Sequence, residues 1–560
     1  MMVFLMVLTG YFIATRTVVA SAQGQPRAFL RRSVVQQFNA TAVFQVRTSS
    51  GMVSGRLLTV GSRRLKAFYG IPYAQAPVRE LRFRKPVPVD VPDNVPDVVL
   101  VRRKRFPCPQ ISPRGMVGER SSNENSTEEC LHLNVWAPSD IGTLGRRTVL
   151  FYIHGGYFEQ GSNDLPSNDG QILSADGDVV VVVPNYRLHI FGFLNAHMVT
   201  APGNAGVYDV ILALQWCIRN IAQFGGDPEK IVLVGRDAGA VIAGYLMVSP
   251  LTKGMVKRYI LLSGSPFWTP PDNHGLSALT NLRALAKHFH CDREDDVESV
   301  ACLSQVDLYD INDTPDIHRY RMYPSDNDEL LPFFIPEGLH QVADYSVVDV
   351  LLGNVIGEGR QIASNSISIS LSNLLNRTLR RFGTSYLGKF GVRSPEAAMK
   401  EYDVYGALSR EATLGDIVGD FMIQCPLQFL ADELSSRGRK VYYFLMDYNP
   451  WAEVLQNEGA RAYHLDNSLL FGEPMEKASP QLVELSKNVI YAWTTFAKTG
   501  SLTLASGLPW PAYTKMNRTY VIFNGIRDEI LHGFRERQCS FWAKPPPSPS
   551  FADLPFMKQP

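Results

Sequence analysis

Ile231-Val-Leu-Val-Gly-Arg-Asp-Ala-Gly-Ala-Val-Ile-Ala-Gly-Tyr-Leu-Met247 reads as a strand, a sharp turn and a helix. The apolar run Ile231 to Val234 is short and bounded by turn residues, as in a buried strand. Gly235-Arg236-Asp237-Ala238-Gly239 makes the turn, and Ala240 to Met247 continues with helical character. In a strand–turn–helix written G-x-S-x-G, the central Ser is a nucleophile. Here the central residue is Asp237, and most of the functional question lies in that replacement.

Outward from this stretch, strands and helices alternate. Glu128 to Pro138 and Thr148 to Phe158 read as strands, the second ending in a loop with Gly155 and Gly156. The unbroken valines Val179 to Val183 suit a sheet covered on both faces. Gly206 to Ile221 reads as a helix stopped by Phe224-Gly-Gly-Asp-Pro228. Further strands are predicted at Asp349 to Val355 and Val441 to Met446, and a long amphipathic helix over Pro480 to Gly500. Nearer the N-terminus, Val43 to Val60 reads as a strand pair around Gly51 and Gly55. Phe68 to Pro77 and Leu81 to Pro86 read as loop with strand pieces. This alternation predicts an α/β fold, a large mostly parallel sheet with helices on both faces and the Ile231 strand near its centre. No repeat or linker divides residues 41–542.

The chain has 560 residues, 45% hydrophobic and 19% charged, enough for a large core. A net charge of +1 gives no electrostatic case for nucleic acid or an anionic membrane. No metal-ligand cluster, phosphate loop or nucleotide fingerprint appears, so no cofactor and no metal is expected. The apolar run Met1 to Ala14, followed by Ala20-Ser-Ala22, predicts a signal peptide over residues 1–22. Read instead as an anchor helix, that run is interrupted by Arg16 before it could span a bilayer. Residues 23–40 read as a flexible segment and the Pro-rich residues 543–560 as a disordered tail. No later segment is apolar for long enough to span a membrane, so a secreted, extracellular protein is expected. Arg102 to Arg105 reads as a basic protease target or a solvated loop edge.

Of seven cysteines, Cys217 lies in an apolar helical pattern and reads as a buried hydrophobe. The other six, Cys108, Cys130, Cys291, Cys302, Cys425 and Cys539, could form three bridges, as suits an oxidising compartment. Candidate glycosylation sites are Asn39, Asn125, Asn312, Asn376 and Asn517, with Asn312 disfavoured by Pro315.

Five further stretches carry a resemblance. They are Phe68 to Ala74 (F-Y-G-I-P-Y-A), Glu128 to Pro138 (E-E-C-L-H-L-N-V-W-A-P), Asn185 to Leu194 (N-Y-R-L-H-I-F-G-F-L), Gly203 to Asp209 (G-N-A-G-V-Y-D) and Asn220 to Pro228 (N-I-A-Q-F-G-G-D-P). With them the chain resembles the type-B carboxylesterase and cholinesterase family over about Gln45 to Trp542. That family includes non-enzymatic relatives such as neuroligins and glutactin. The resemblance implies an α/β-hydrolase fold and the pairs Cys108–Cys130, Cys291–Cys302 and Cys425–Cys539, leaving Cys217 free. It also implies that the nucleophile position is Asp237, the acid Glu358, the base His464, and the oxyanion-hole positions Gly156, Tyr157 and Ala238. Active relatives commonly carry Glu where this chain has Arg236, and a third Gly where it has Tyr157. The spacing from His464 to Phe471-Gly472 is one residue short of the family pattern.

A Ser attacks because His can take its proton, and a carboxylate has none to give. Asp237 near His464 and Glu358 would hold an imidazolium, a poor general base. The expectation is therefore a catalytically inactive protein that binds an extracellular protein partner. Two other readings compete. In one, Asp237 forms an alkyl-enzyme ester that water activated by His464 and Glu358 then cleaves. In the other, weak esterase activity persists or the pocket carries a lipophilic small molecule. Choline esters are disfavoured, because the stretch between Cys108 and Cys130 has no aromatic face for a quaternary ammonium. The Pro480 to Gly500 helix could pack on a second copy, making a homodimer, or within the chain. His154 is expected to be structural.

Overall fold

The computed structural model describes residues 35–36, 44–89, 99–100, 106–110, 126–140, 145–268, 276–312, 314, 317, 320, 322–326, 328–332, 348–367, 370–447, 465–473, 479–504, 507–523 and 528–543. The expected signal peptide, nearly all of residues 23–40, Arg102 to Arg105, Asn39, Asn125, His464 and the tail from residue 544 lie outside them.

Among the described residues, one sheet of 14 strands organises the molecule. Its main strands are β1 (Gly51–Val60), β2 (Arg63–Pro72), β3 (His132–Pro138), β4 (Arg147–Ile153), β5 (Val180–Pro184), β6 (Gly226–Arg236), β7 (Arg258–Leu262), β8 (Asp349–Val355), β9 (Val441–Met446), β10 (Thr519–Phe523) and β11 (Glu529–His532). They lie in the order β1-β2-β3-β5-β4-β6-β7-β8-β9-β10-β11. From β5 through β10 in that order neighbours run parallel. The ends of the sheet are antiparallel. β6 sits at the middle, with Leu233 beside Phe151 of β4 and Tyr259 of β7.

Alternating residues of the central strands feed two separate cores. Val149, Phe151, Ile153, Ile231 and Leu233 join one cluster, while Leu150, Tyr152, Val232 and Val234 join the other. That period of two is the pleat of a strand, and cores on both faces explain why the strands are apolar throughout. Six helices matter for the site: α1 (Ala205–Asn220), α2 (Ala238–Val248), α3 (Glu358–Ser366), α4 (Arg410–Gly419), α5 (Leu465–Phe471) and α6 (Pro480–Thr499). Every residue of α2 is buried, and its residues pack into the first cluster. A helix apolar all round belongs inside a core, which is why Ala, Val, Ile and Leu dominate it.

The predicted elements are present with small boundary shifts. The Ile231 strand runs back to Gly226 and forward to Arg236, so the turn begins at Asp237. The amphipathic helix ends at Gly500, which takes the left-handed conformation (φ 70°) that caps α6. Its apolar residues Leu485, Val489, Trp493 and Phe496 lie in the second core of the same chain. Leu81, the first residue of a stretch expected as loop with strand pieces, ends a short 3-10 turn over Arg79–Leu81.

The three expected disulfides are formed, Cys108–Cys130, Cys291–Cys302 and Cys425–Cys539, and Cys217 is free and buried. Asn376 and Asn517 are exposed, whereas Asn312 is partly buried with Nδ2 donating to Ser126 Oγ at 3.4 Å. No helix among the described residues is long and apolar enough to cross a membrane.

Candidate functional site

The end of β6 turns into α2 through Asp237, whose φ of 51° and ψ of −121° are costly for a residue with a Cβ. Asp237 N–H donates to Leu262 O at 2.8 Å, and its carbonyl accepts from Ala240 and Val241 at 3.0 Å each. The flanking glycines make the turn possible. A Cβ at Gly235 would stand 2.2 Å from Gly239 O, and one at Gly239 only 2.0 Å from Ile153 O. Neither position has room for a side chain, and Asp237 between them is half-buried.

It meets the loop after β4. Asp237 Oδ2 accepts from Gly156 N–H at 2.8 Å and from Tyr157 N–H at 2.9 Å. Tyr157 has a φ of 56°, so its amide is presented by backbone that a bulky residue rarely adopts, while its side chain packs against the first core. The loop is held from below. His154 Nδ1 lies 2.9 Å from Gly155 O, and its ring stacks on Tyr186 at 4.4 Å. A carbonyl only accepts, so Nδ1 carries the proton. Burial pulls the His154 pKa down to about 4, which keeps the ring neutral and suits the expected structural role. Ala238, the third expected donor position, is buried at the start of α2.

Arg236 points into the protein from the last position of β6 and is 2% exposed. Its Nε donates to Asp466 Oδ1 at 2.8 Å, and a terminal nitrogen stands 3.8 Å from Glu358 Oε1. Ser263 Oγ completes the cluster by donating to Asp466 Oδ2 at 3.1 Å. Asp466 is positioned by α5, whose next residue, Asn467, donates to Ser167 O at 2.9 Å and Asn168 Oδ1 at 3.1 Å. Glu358 opens α3, and its Oε2 accepts from Val355 N–H at 3.3 Å.

Burial first, and the Asp466 carboxylate second, push the Glu358 pKa up to about 8, with Arg236 opposing. Between the ordinary carboxyl range and about 8, the folded protein keeps a proton that the unfolded chain has released. That contribution is full at low pH and lost as pH rises through the folded value. His154 acts in the opposite sense, but only below the ordinary imidazole value of 6.5. The urea midpoint should therefore fall from about pH 6.5 to about pH 8.5, and Glu358→Gln should flatten that fall. A midpoint that climbs across this range in the natural protein would contradict the assignment.

The site thus brings Asp237 to Gly156 and Tyr157 and places Glu358 beside Arg236. His464 lies outside the described residues. Asp466 and Ser263 escaped the sequence reading, yet a signal for a partner was there. Arg236 interrupts a buried strand end, where a cation demands a carboxylate. Among the described residues, no group of three or more His, Cys, Asp or Glu is placed to hold a metal.

A strand–turn–helix elbow facing a two-amide loop, built on the central strands of a parallel sheet, is the arrangement of an α/β-hydrolase. Within that class the chain belongs to the Carboxylesterase family, whose sequence model matches residues 42–542. It is 32% identical over 531 residues to acetylcholinesterase-1 of Trittame loki, covering 89% of this chain and 93% of that protein. It is 30% identical over 533 residues to the acetylcholinesterase of Bungarus fasciatus (89% and 86% covered). The cholinesterase of Mus musculus is likewise 30% identical, over 539 residues, with 89% and 86% covered.

Proposed function

We propose that this carboxylesterase-family chain is a secreted binding protein that has lost ester hydrolysis, with Asp237 standing in place of the nucleophile. The observation that carries the reading is the seat of the Asp237 carboxylate on the amides of Gly156 and Tyr157. Those donors would have to receive the carbonyl oxygen of an ester as it gains charge. A carboxylate already on them supplies its own negative charge and competes with that oxygen. It also has no proton to pass to a base. Three disulfides support an extracellular setting. The Cys108–Cys130 stretch, without an aromatic residue, argues against choline esters.

The protein taken from culture medium should turn over short-chain naphthyl and nitrophenyl esters no faster than the same protein treated with an organophosphate. Organophosphate-sensitive turnover near the common enzyme rate of about 10 s⁻¹ would sink the reading.

The same seat favours one second reading. With Oδ2 held by two amides, the other oxygen of Asp237 could attack an alkyl carbon, expelling halide from a haloalkane or opening an epoxide C–O bond to an alkoxide that takes up a proton. Water would then cleave the ester formed at its carbonyl carbon. Against it, Glu358, which would orient the base, is drawn into the Arg236 cluster. Single turnover of an epoxide or haloalkane in heavy-oxygen water distinguishes the two, since this route alone places label in Asp237.

A further inference from the structure

The net charge of +1 hides a local surplus. Residues 376–395 carry five cations, Arg377, Arg380, Arg381, Lys389 and Arg393, and no carboxylate. Four of them lie on the helix Asn376–Lys389, whose buried side is Leu379, Gly383, Tyr386 and Leu387. With about 3.6 residues per turn, Arg377, Arg381 and Gly388 share the opposite face, flanked by Ser385 and Lys389. All five of these residues are exposed, and a Cβ at Gly388 would meet nothing within 4 Å. The face looks into open space.

Its cations are also unmatched. Arg380 pairs with Glu396 at 2.6 Å, but Arg377, Arg381, Lys389 and Arg393 make no ion pair or side-chain hydrogen bond among the described residues. Two helices pack against this one, Pro395–Glu401 and α4, and their carboxylates are engaged elsewhere. Arg380 holds Glu396, Arg537 holds Glu401, Arg360 holds Asp416, and Glu411 accepts from Leu371 N–H. The grouping works against the helix itself. Arg377 and Arg381 are like charges four residues apart, and Arg377 stands in the first turn, where the helix dipole disfavours a cation. Stability gives no reason for such a cluster.

We infer that this face binds a sulfated polysaccharide laid along the helix. Sulfate esters are fixed anions that only accept hydrogen bonds, and a guanidinium presents a rigid fork of donors to such groups. From Arg377 to Lys389 the helix rises about 18 Å, so one linear chain can meet several cations at once. Every exposed residue from Arg377 to Lys389 is polar or glycine. The face therefore lacks the aromatic or aliphatic anchor of a protein interface and has nothing to insert into a bilayer. The inference rests on the extracellular setting proposed above, where sulfated polysaccharides occur and the anionic cytoplasmic leaflet does not.

The test is binding of the whole purified protein to immobilised heparin, after removal of N-glycans, because the candidate site Asn376 opens this helix. Binding should persist at physiological salt, and the logarithm of its constant should fall linearly with that of salt concentration. Arg377→Gln with Arg381→Gln should weaken it by about tenfold or more and reduce the salt slope by about one per residue. Lys287→Gln with Lys515→Gln removes the same charge from exposed sites elsewhere and should leave binding unchanged. Equal weakening by both pairs, no binding at physiological salt, or equal binding of desulfated heparin would overturn the inference. Tighter binding to phosphatidylserine vesicles or single-stranded DNA would overturn it in favour of those partners. If a variant fails to fold, hydrogen exchange of the natural protein decides: heparin should protect residues 376–395, and no protection there refutes the site. Ester turnover is not among the readouts, so this result and the loss of hydrolysis stand or fall separately.

Discussion

Replacing Asp237 by Ser should give the protein covalent reactivity towards organophosphates that the natural chain lacks. The change does two things at one position. It removes the carboxylate from the amides of Gly156 and Tyr157, and it supplies a hydroxyl with a proton to give. Each oxyanion donor regained is worth on the order of 10²–10³ in rate, so naphthyl ester turnover should rise at least ~10²-fold. Mass spectrometry should find the phosphyl adduct within residues 231–247 of the variant and nowhere in the natural protein. Asp237→Asn, which removes the charge without adding a hydroxyl, should stay silent. If Asp237→Ser gains neither adduct nor turnover, Asp237 is not what blocks the chemistry, and the Arg236 cluster becomes the suspect.

The largest loss of stability should come from Arg236→Met. The guanidinium is the cation between two almost fully buried carboxyls, Asp466 at 2.8 Å and Glu358 at 3.8 Å. Removing one partner of such a group leaves charge uncompensated, at a cost of ~3–5 kcal/mol, readable as a lower urea midpoint at unchanged slope. Asp466→Asn in the same chain should recover much of that loss, because the remaining groups then need no cation. Coupling of at least ~1 kcal/mol between the two changes is expected from their contact. A single variant within about 0.5 kcal/mol of the natural protein would mean that the cluster does not bear on stability, as for an ordinary surface change.

Much of the architecture is legible in the sequence. Val179 to Val183 announced a strand buried on both faces, and that is what β5 is, with alternate valines in two cores. Gly500 announced the end of α6 because a left-handed residue stops a helix cheaply only when it lacks a Cβ. The turn Arg79–Leu81 has no such signal. A single 3-10 turn among prolines has too few residues to display a period.

The candidate site divides along a similar line. Asp237 at the apex of the elbow, and Gly156 and Tyr157 in the loop that faces it, follow from local patterns: a strand, two glycines, a helix. Which atom meets which does not. Arg236 finds Asp466 across 230 residues of sequence, and the amides of Gly156 and Tyr157 reach Asp237 from some 80 residues away. Periodicity and turn chemistry act within a few residues of one another, so by itself the sequence determined the sheet, the elbow and the identity of the residue at its tip. Ion pairs and hydrogen bonds form only where separate segments close to within about 3 Å. The tertiary structure alone therefore decided that the Asp237 carboxylate rests on the two amides, and that Arg236 draws Glu358 into a buried cluster.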